Sequence, residues 1–298
     1  MYSDRLEPTP RSETDIRKVS LTDLVRMKRQ GHKIAVVTAY DAPSGRLADL
    51  AGIDCVLVGD SAVMTMFGRD STVSATMDEM LLLTRAVAGG VRRALVIADM
   101  PFGAYQVSDV SAVENAIRFV KDAGADAVKL EGAGTSTSRA AAIVAAGIPV
   151  VGHLGLTPQS ATLLGGYKAQ GRSAEQAQRL CDDAVALERA GCFAIVLEAI
   201  PAAVASHISD AIRVPTIGIG AGASCDGQIL VWHDLLGLSD GHVARFVKRY
   251  ATLSDEILVA LRNYASDVRT SQFPEDRHTY SMPQLELELF EASNGRPA

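Results

Sequence analysis

The chain has 298 residues, 48% of them hydrophobic, and a mean hydropathy of +0.13, enough for one large core or two modest ones. A formal net charge of −6 argues against a general nucleic-acid binder, which presents a basic face. An anionic substrate remains compatible where a metal or a few placed cations reverse the local field. No apolar run reaches the roughly 18 residues that suggest a membrane span. Cys55, Cys181, Cys192 and Cys225 show no CxxC spacing, so free thiols are expected rather than a disulfide framework or a zinc site. The stretch Met1 to Arg17 mixes acidic and basic residues and resembles neither a signal peptide nor a transit sequence. The cytoplasm is the expected compartment.

After a polar tail (1–18), Ser20 to Gln30 reads as a short helix with cap candidates in Ser20, Thr22 and Asp23. Ile34 to Thr38 reads as the first strand and Ala42 to Ala51 as its helix. Further strands are expected near 54–59, 94–98, 126–130, 149–152 and 193–197, and helices near 78–92, 111–123, 137–146 and 174–190. A helix near 202–211 precedes a seventh strand, Pro215 to Ile219. Gln228 to Trp232 reads as an eighth strand, followed by a helical region over 242–268. Repeated strand–helix units predict parallel strands with right-handed crossovers, and eight of them fit a (β/α)8 TIM barrel over 19–270. An open doubly wound sheet would want a phosphate-binding glycine fingerprint after its first strand. Thr38-Ala39-Tyr40-Asp41 is not one, and Gly218 to Gly222 follows the seventh strand instead. The segment 271–298 reads as a peripheral tail.

Five of the apolar runs end on an ionisable residue: Asp60, Asp99, Glu131, His153 and Glu198. A short apolar run bounded by a turn reads as a strand buried on both faces. A charge at its carboxyl end is costly to bury without a partner or a metal, and barrel active sites form at those ends. By strand alternation Asp60 is expected to point with Val58, and Glu131 with Lys129. Asp60, Asp99 and Glu131 would then converge as hard oxygen donors that repel one another unless a cation compensates. Magnesium suits such a set; three separately paired rim carboxylates are the alternative. Lys129 either neutralises Glu131 or holds a substrate carboxylate. His153 by itself reads as a hydrogen-bonded structural residue. Glu198 ends a strongly apolar strand, where desolvation would raise its pKa and suit it to general-base work; a salt-bridged rim residue is the other reading. The loop Asp60 to Thr72 is long for a strand–helix connection. The polar stretches Gly155 to Ser160 and Gly165 to Arg172 read as a cover over the site.

The chain resembles the ketopantoate hydroxymethyltransferase (3-methyl-2-oxobutanoate hydroxymethyltransferase) family. The resemblance rests on Thr38-Ala39-Tyr40-Asp41, Val58-Gly59-Asp60-Ser61, Gly68 with Asp70-Ser71-Thr72, Ala98-Asp99-Met100-Pro101-Phe102 and Val128-Lys129-Leu130-Glu131-Gly132. It continues through Gly152 to Ser160, Gly165 to Arg172, Val196-Leu197-Glu198, Gly218 to Gly222 and Asp226 to Val231, and it spans about Ser20 to Tyr280. The resemblance implies a barrel of the phosphoenolpyruvate mutase/isocitrate lyase-like group. It implies magnesium-dependent transfer of a hydroxymethyl group from 5,10-methylenetetrahydrofolate to 3-methyl-2-oxobutanoate, through a metal-stabilised enolate. The product is 2-dehydropantoate, in pantothenate biosynthesis. Carried over by position, Asp60 and Asp99 are metal ligands, with Glu131 at the metal. Asp60, Ser61, Asp99, Lys129 and His153 are substrate-binding, and Glu198 is the proton acceptor. A homodecamer is implied, with no membrane or nucleic-acid partner.

Two departures stand out. Ala62 and Val63 replace a larger-then-glycine pair expected after the Asp-Ser step, and the chain runs past His278-Thr279-Tyr280, where the family usually ends. The main alternative is another magnesium-dependent 2-oxo acid C–C lyase, or a phosphonopyruvate hydrolase, of the same barrel group. Such enzymes often carry a Lys-Lys-Cys-Gly-like lid motif, which this chain lacks. A silent sensor barrel is disfavoured because all four carboxylates of the expected site are present.

Overall fold

A computed structural model describes residues 17–239 and 244–295. Its eight strands are β1 (Ile34–Thr38), β2 (Cys55–Val58), β3 (Leu95–Asp99), β4 (Ala127–Glu131), β5 (Val150–Gly155), β6 (Ala194–Glu198), β7 (Thr216–Ile219) and β8 (Gly227–Leu230). They are parallel and pair in sequence order, with β8 closing against β1, so the expected (β/α)8 barrel is found. The helices in chain order are α1 (Leu21–Gln30), α2 (Ala42–Leu50), α3 (Ala62–Thr65), α4 (Met77–Gly90), α5 (Asp109–Ala123), α6 (Thr135–Ala145) and α7 (Ala174–Arg189). They continue with α8 (Ala202–Ala211), α9 (Trp232–Leu236), α10 (Leu253–Arg269) and α11 (Gln284–Ser293). Five helices begin where the sequence supplies caps: Ser20, Asp41, Thr76, Ser108 and Ser173 each accept a backbone N–H of the first turn.

Alternation along the strands divides the core into two shells. Val56, Val58, Val96, Ala98, Val128 and Leu130 pack outward with helix residues such as Met80, Val87, Phe119 and Ile143. Val36, Cys55, Leu57, Leu95, Ile97, Ala127, Val151, Ala194, Val196, Ile217 and Ile229 fill the interior, and Leu24 of α1 joins them from below. A cavity of ≈ 20 Å³ remains between Leu24 and the stem of Lys129. Below the mouth, then, the barrel is a packed apolar core.

Several expected boundaries shift. The eighth strand ends at Leu230, and Trp232 opens α9. The helix expected over 242–268 is Leu253–Arg269; residues 244–252 form turns and irregular chain, and 240–243 lie outside the described residues. Ala62 and Val63 are fully buried and start α3 at the outer core. The expected tail contains α11, which has no buried residue, while most of the expected N-terminal tail lies outside the described residues. Helix α10 also buries nothing and exposes Ile257, Leu258, Leu261, Tyr264 and Val268. The outer face of the barrel is open where β8 meets β1, with Gln228 and Ala35 in register and both exposed. No helix among the described residues is long and apolar enough to cross a membrane. All four cysteines are free, as expected.

Candidate active site

The five strand endings converge at the carboxyl end of the barrel. Register explains the neighbours: Asp99 stands beside Lys129 across β3–β4, Glu131 beside His153 across β4–β5, and Gly155 beside Glu198 across β5–β6. Lys129 and Glu131 are two residues apart and both point inward, as alternation predicts. Lys129 Nζ lies 2.9 Å from Asp99 Oδ1 and 3.7 Å from Glu131 Oε1. His153 Nδ1 lies 3.2 Å from Glu131 Oε1.

Asp60 corrects the alternation argument. Val58 belongs to the outer shell, yet Asp60 accepts a hydrogen bond from Gln159 Nε2 at 2.9 Å inside the mouth. Strand β2 has ended at Val58, so parity no longer governs the next side chain. The inward position on β2 falls to Gly59, where a Cβ would lie 2.8 Å from Ser61 Oγ and 3.6 Å from Asp99 Oδ2. The missing side chain leaves room for Asp60 and Ser61 to fold back over the barrel. The Asp60 N–H then donates to Asp99 Oδ2 at 3.0 Å, tying β2 to β3. Ser61 is held by the Tyr40 hydroxyl at 2.9 Å, which also accepts from Thr38 Oγ1.

Glu198 is the least buried of the five. Its side chain is 15% exposed, against 3% for Glu131 and 4% for Asp99, so contact with solvent rather than deep desolvation distinguishes it. His153 Nε2 lies 3.1 Å from Glu198 Oε2, although its alignment falls short of a hydrogen bond. The Glu198 carbonyl accepts from the Leu156 N–H at 2.9 Å. This close passage requires a glycine at 155, where φ is +95° and a Cβ would stand 2.1 Å from that oxygen. Ala199 then takes a left-handed φ of 48°, a conformation costly for a residue with a Cβ. The turn redirects the chain immediately after Glu198.

The electrostatics follow from burial and proximity. Burial, reinforced by Asp99 and Glu131, pushes the Asp60 carboxyl well above its ordinary value. Burial also raises Asp99, against the opposing pull of the Lys129 ammonium. For Glu131 burial is outweighed by hydrogen bonding to His153 and by nearby positive charge, and its pKa falls. Burial likewise works against the charge on Lys129, but Asp99, Glu131 and Asp60 overcome it and keep the amine protonated. His153 is opposed by burial and by Lys129, yet Glu131 and Glu198 lift it to about 9. With every group ionised, four carboxylates face two cations, so two negative charges are in excess. That excess, on hard oxygen donors, fits a divalent cation. Among the described residues no three His, Cys, Asp or Glu side chains are close enough to chelate one by themselves. A cation here would need water or substrate oxygens to complete its shell.

The structure also brings in residues that strand-end reasoning did not single out. Gln159 and Tyr105 are buried polar groups bonded to the acidic centre, Tyr40 is bonded to Ser61, and Thr38 is bonded to Tyr40. They are neutral side chains: Thr38, Tyr40 and Gln159 lie within stretches that carry the family resemblance and Tyr105 in none, and no charge or period marks any of the four.

The family model for "Ketopantoate hydroxymethyltransferase" matches residues 18–276. A 3-methyl-2-oxobutanoate hydroxymethyltransferase of Carboxydothermus hydrogenoformans is 53% identical over 271 residues, covering 91% of this chain and 98% of that protein. One of Moorella thermoacetica is 53% identical over 263 residues, covering 88% and 98%. Among solved structures, a phosphonopyruvate hydrolase superposes with a TM-score of 0.56 at 16% identity, covering 92% of this chain and 95% of that one. A 2,3-dimethylmalate lyase described as a PEP mutase/isocitrate lyase superfamily member gives 0.53 at 17% identity, covering 92% and 99%. At these identities the two show a shared fold and nothing beyond it; the sequence relatives go further. Through a match that runs across the whole barrel, the chain belongs to the ketopantoate hydroxymethyltransferase family.

Proposed function

We propose that this chain transfers a hydroxymethyl group from 5,10-methylenetetrahydrofolate to 3-methyl-2-oxobutanoate, with uptake of water and release of tetrahydrofolate, giving 2-dehydropantoate. The observation that carries the reading is the convergence of Asp60, Asp99, Lys129, Glu131, His153 and Glu198 at one barrel mouth in a chain of this family. Asp60 and Asp99 are assigned as ligands of a magnesium ion, with Glu131 at the metal; the excess of carboxylates over cations supports this. Magnesium, when bound, supplies Lewis acidity that polarises a 2-oxo acid and lowers the energy of its enolate.

The protein's own groups do the rest. Lys129 stays charged at the bottom of the mouth and holds the substrate carboxylate. Ser61, steadied by Tyr40, offers its hydroxyl to the same substrate. Glu198, open to solvent on one side, removes the proton from C3. Water frees the one-carbon unit from both folate nitrogens at the formaldehyde level, restoring their N–H bonds. The C3 carbanion bonds to that carbon, the water oxygen becoming the product hydroxyl as it takes back the proton from Glu198. His153, between Glu131 and Glu198, holds the base carboxylate in place beside the substrate. General-base assistance is worth about 10²–10⁴-fold. The exposed apolar side chains of α10 support self-association, and a homodecamer is the assembly proposed. The cytoplasm is the compartment proposed, in keeping with four free thiols. The lyase and hydrolase alternative has only the shared fold in its favour, at 16% and 17% identity.

Glu198→Gln tests the assignment of the base. Turnover should fall at least about a hundredfold, while magnesium and 3-methyl-2-oxobutanoate still bind. With folate omitted, uptake of solvent deuterium at C3 should fall in parallel. Exchange at the wild-type rate would remove Glu198 from the role.

A further inference from the structure

Gln159 lies on the connection after β5 and is 5% exposed. Its side-chain amide donates to Asp60 Oδ2 at 2.9 Å and to the Met100 carbonyl at 3.0 Å, and accepts from the Tyr105 hydroxyl at 2.6 Å. Its backbone N–H donates to Glu131 Oε2 at 2.9 Å. Tyr105, 2% exposed, accepts in turn from the Glu131 N–H at 3.1 Å. The orientation of the amide follows from chemistry. A carbonyl and a carboxylate only accept, so the nitrogen must face Met100 and Asp60. The Tyr105 hydroxyl already accepts from a backbone N–H, so its proton goes to Gln159 Oε1.

One residue thus bonds to two of the three acidic side chains, on two different strand ends, with every amide hydrogen used. The bonds also leave Asp60 and Asp99 each with one fixed and one remaining oxygen, whereas both oxygens of Glu131 are engaged, Oε2 by the Gln159 N–H and Oε1 by His153 Nδ1. Asp60 is held through Oδ2, and no hydrogen bond among the described residues reaches its Oδ1. Asp99 is held through Oδ2 by the Asp60 N–H, and its Oδ1 has Lys129 as a neighbour but no aligned hydrogen bond.

We propose that Gln159, oriented by Tyr105, is a positioning residue that sets Asp60 and Glu131 relative to one another, presents Asp60 Oδ1 to a divalent cation, and fastens the β5–α7 connection to the acidic centre. This rests on the reading that Asp60 belongs to the cation site. Partners of this kind are worth about 10- to 100-fold in metal affinity or activity.

The test uses the full-length protein and Mn²⁺ as probe, titrated calorimetrically with and without 3-methyl-2-oxobutanoate. Gln159→Leu should weaken Mn²⁺ binding about 10- to 100-fold and raise KM for the 2-oxo acid, while KM for the folate donor stays unchanged. Excess metal should recover part of the lost turnover of a variant whose circular dichroism shows it folded before metal is added, which separates weakened binding from a folding defect that metal would also relieve. Tyr105→Phe removes only the hydroxyl that orients the amide and should shift Mn²⁺ affinity the same way by a smaller factor. It also serves if Gln159→Leu does not fold. Wild-type Mn²⁺ affinity in either folded variant would overturn the proposal. Failure of the wild-type protein to bind Mn²⁺ even with the 2-oxo acid would instead overturn the cation site, and this inference with it.

Discussion

Ile97 and Asp99, Val151 and His153, and Val196 and Glu198 stand two residues apart on the same strands, yet they belong to two different regions. The lower members are part of an apolar interior layer closed from below by Leu24. The upper members form a mouth where Asp60, Asp99, Lys129, Glu131 and His153 are buried with their charges partly unbalanced. One region yields stability from removing apolar surface from water. The other spends part of it holding carboxylates against their own repulsion. Lys129 belongs to both: its stem lines the interior cavity, and its ammonium sits between Asp99 and Glu131. The barrel can keep a strained mouth because the layer beneath is packed and carries no charge.

The sharpest way to probe this division is Lys129→Met, which keeps the stem and removes the charge. Breaking a buried pair from one side costs about 3–5 kcal/mol, so the metal-free variant should unfold at a clearly lower temperature and should also lose activity. An unchanged unfolding midpoint would show that the mouth carries no buried electrostatic load. A purely interior change should separate the two properties. Ile217→Ala lies on β7, which adds no ionisable side chain to the mouth. It should cost about 2–5 kcal/mol of stability and leave kcat/KM within a few-fold at temperatures where the protein is folded. A parallel collapse of catalysis would mean that the regions are not separable.

The subtlest probe is pH. His153 has its pKa lifted to about 9 from an ordinary value of 6.5, so between those values the folded state binds a proton that the unfolded state releases. Its stabilisation is therefore complete below about pH 6.5 and is lost as pH rises through about 9. In chelator-treated protein, the excess in unfolding temperature of wild type over His153→Gln should shrink across that window. A constant difference would remove the imidazolium from the network.

Much of this was legible beforehand. Five apolar runs with charged ends placed β2 to β6, and alternation correctly set Lys129 and Glu131 facing inward. It failed for Asp60 because parity holds only while the strand lasts, and β2 stops at Val58 before the glycine. Trp232 reads as part of the eighth strand but opens α9, because an apolar run does not announce where pairing ends. Gln159 and Tyr105 were not singled out because an amide and a phenol carry no charge, and their partners lie 99 and 26 positions away along the chain.

The sequence by itself determined the barrel, the order of its units and the family, since strand–helix alternation, caps and motifs are local properties. Only the tertiary structure decided which oxygens face one another, that Gly59 and Gly155 make the close approaches around Asp60 and Glu198, and that an amide from the β5 connection bonds to two carboxylates on other strands. Those facts depend on register and on where hydrogen bonding stops. Both are set by contacts between residues far apart in the chain.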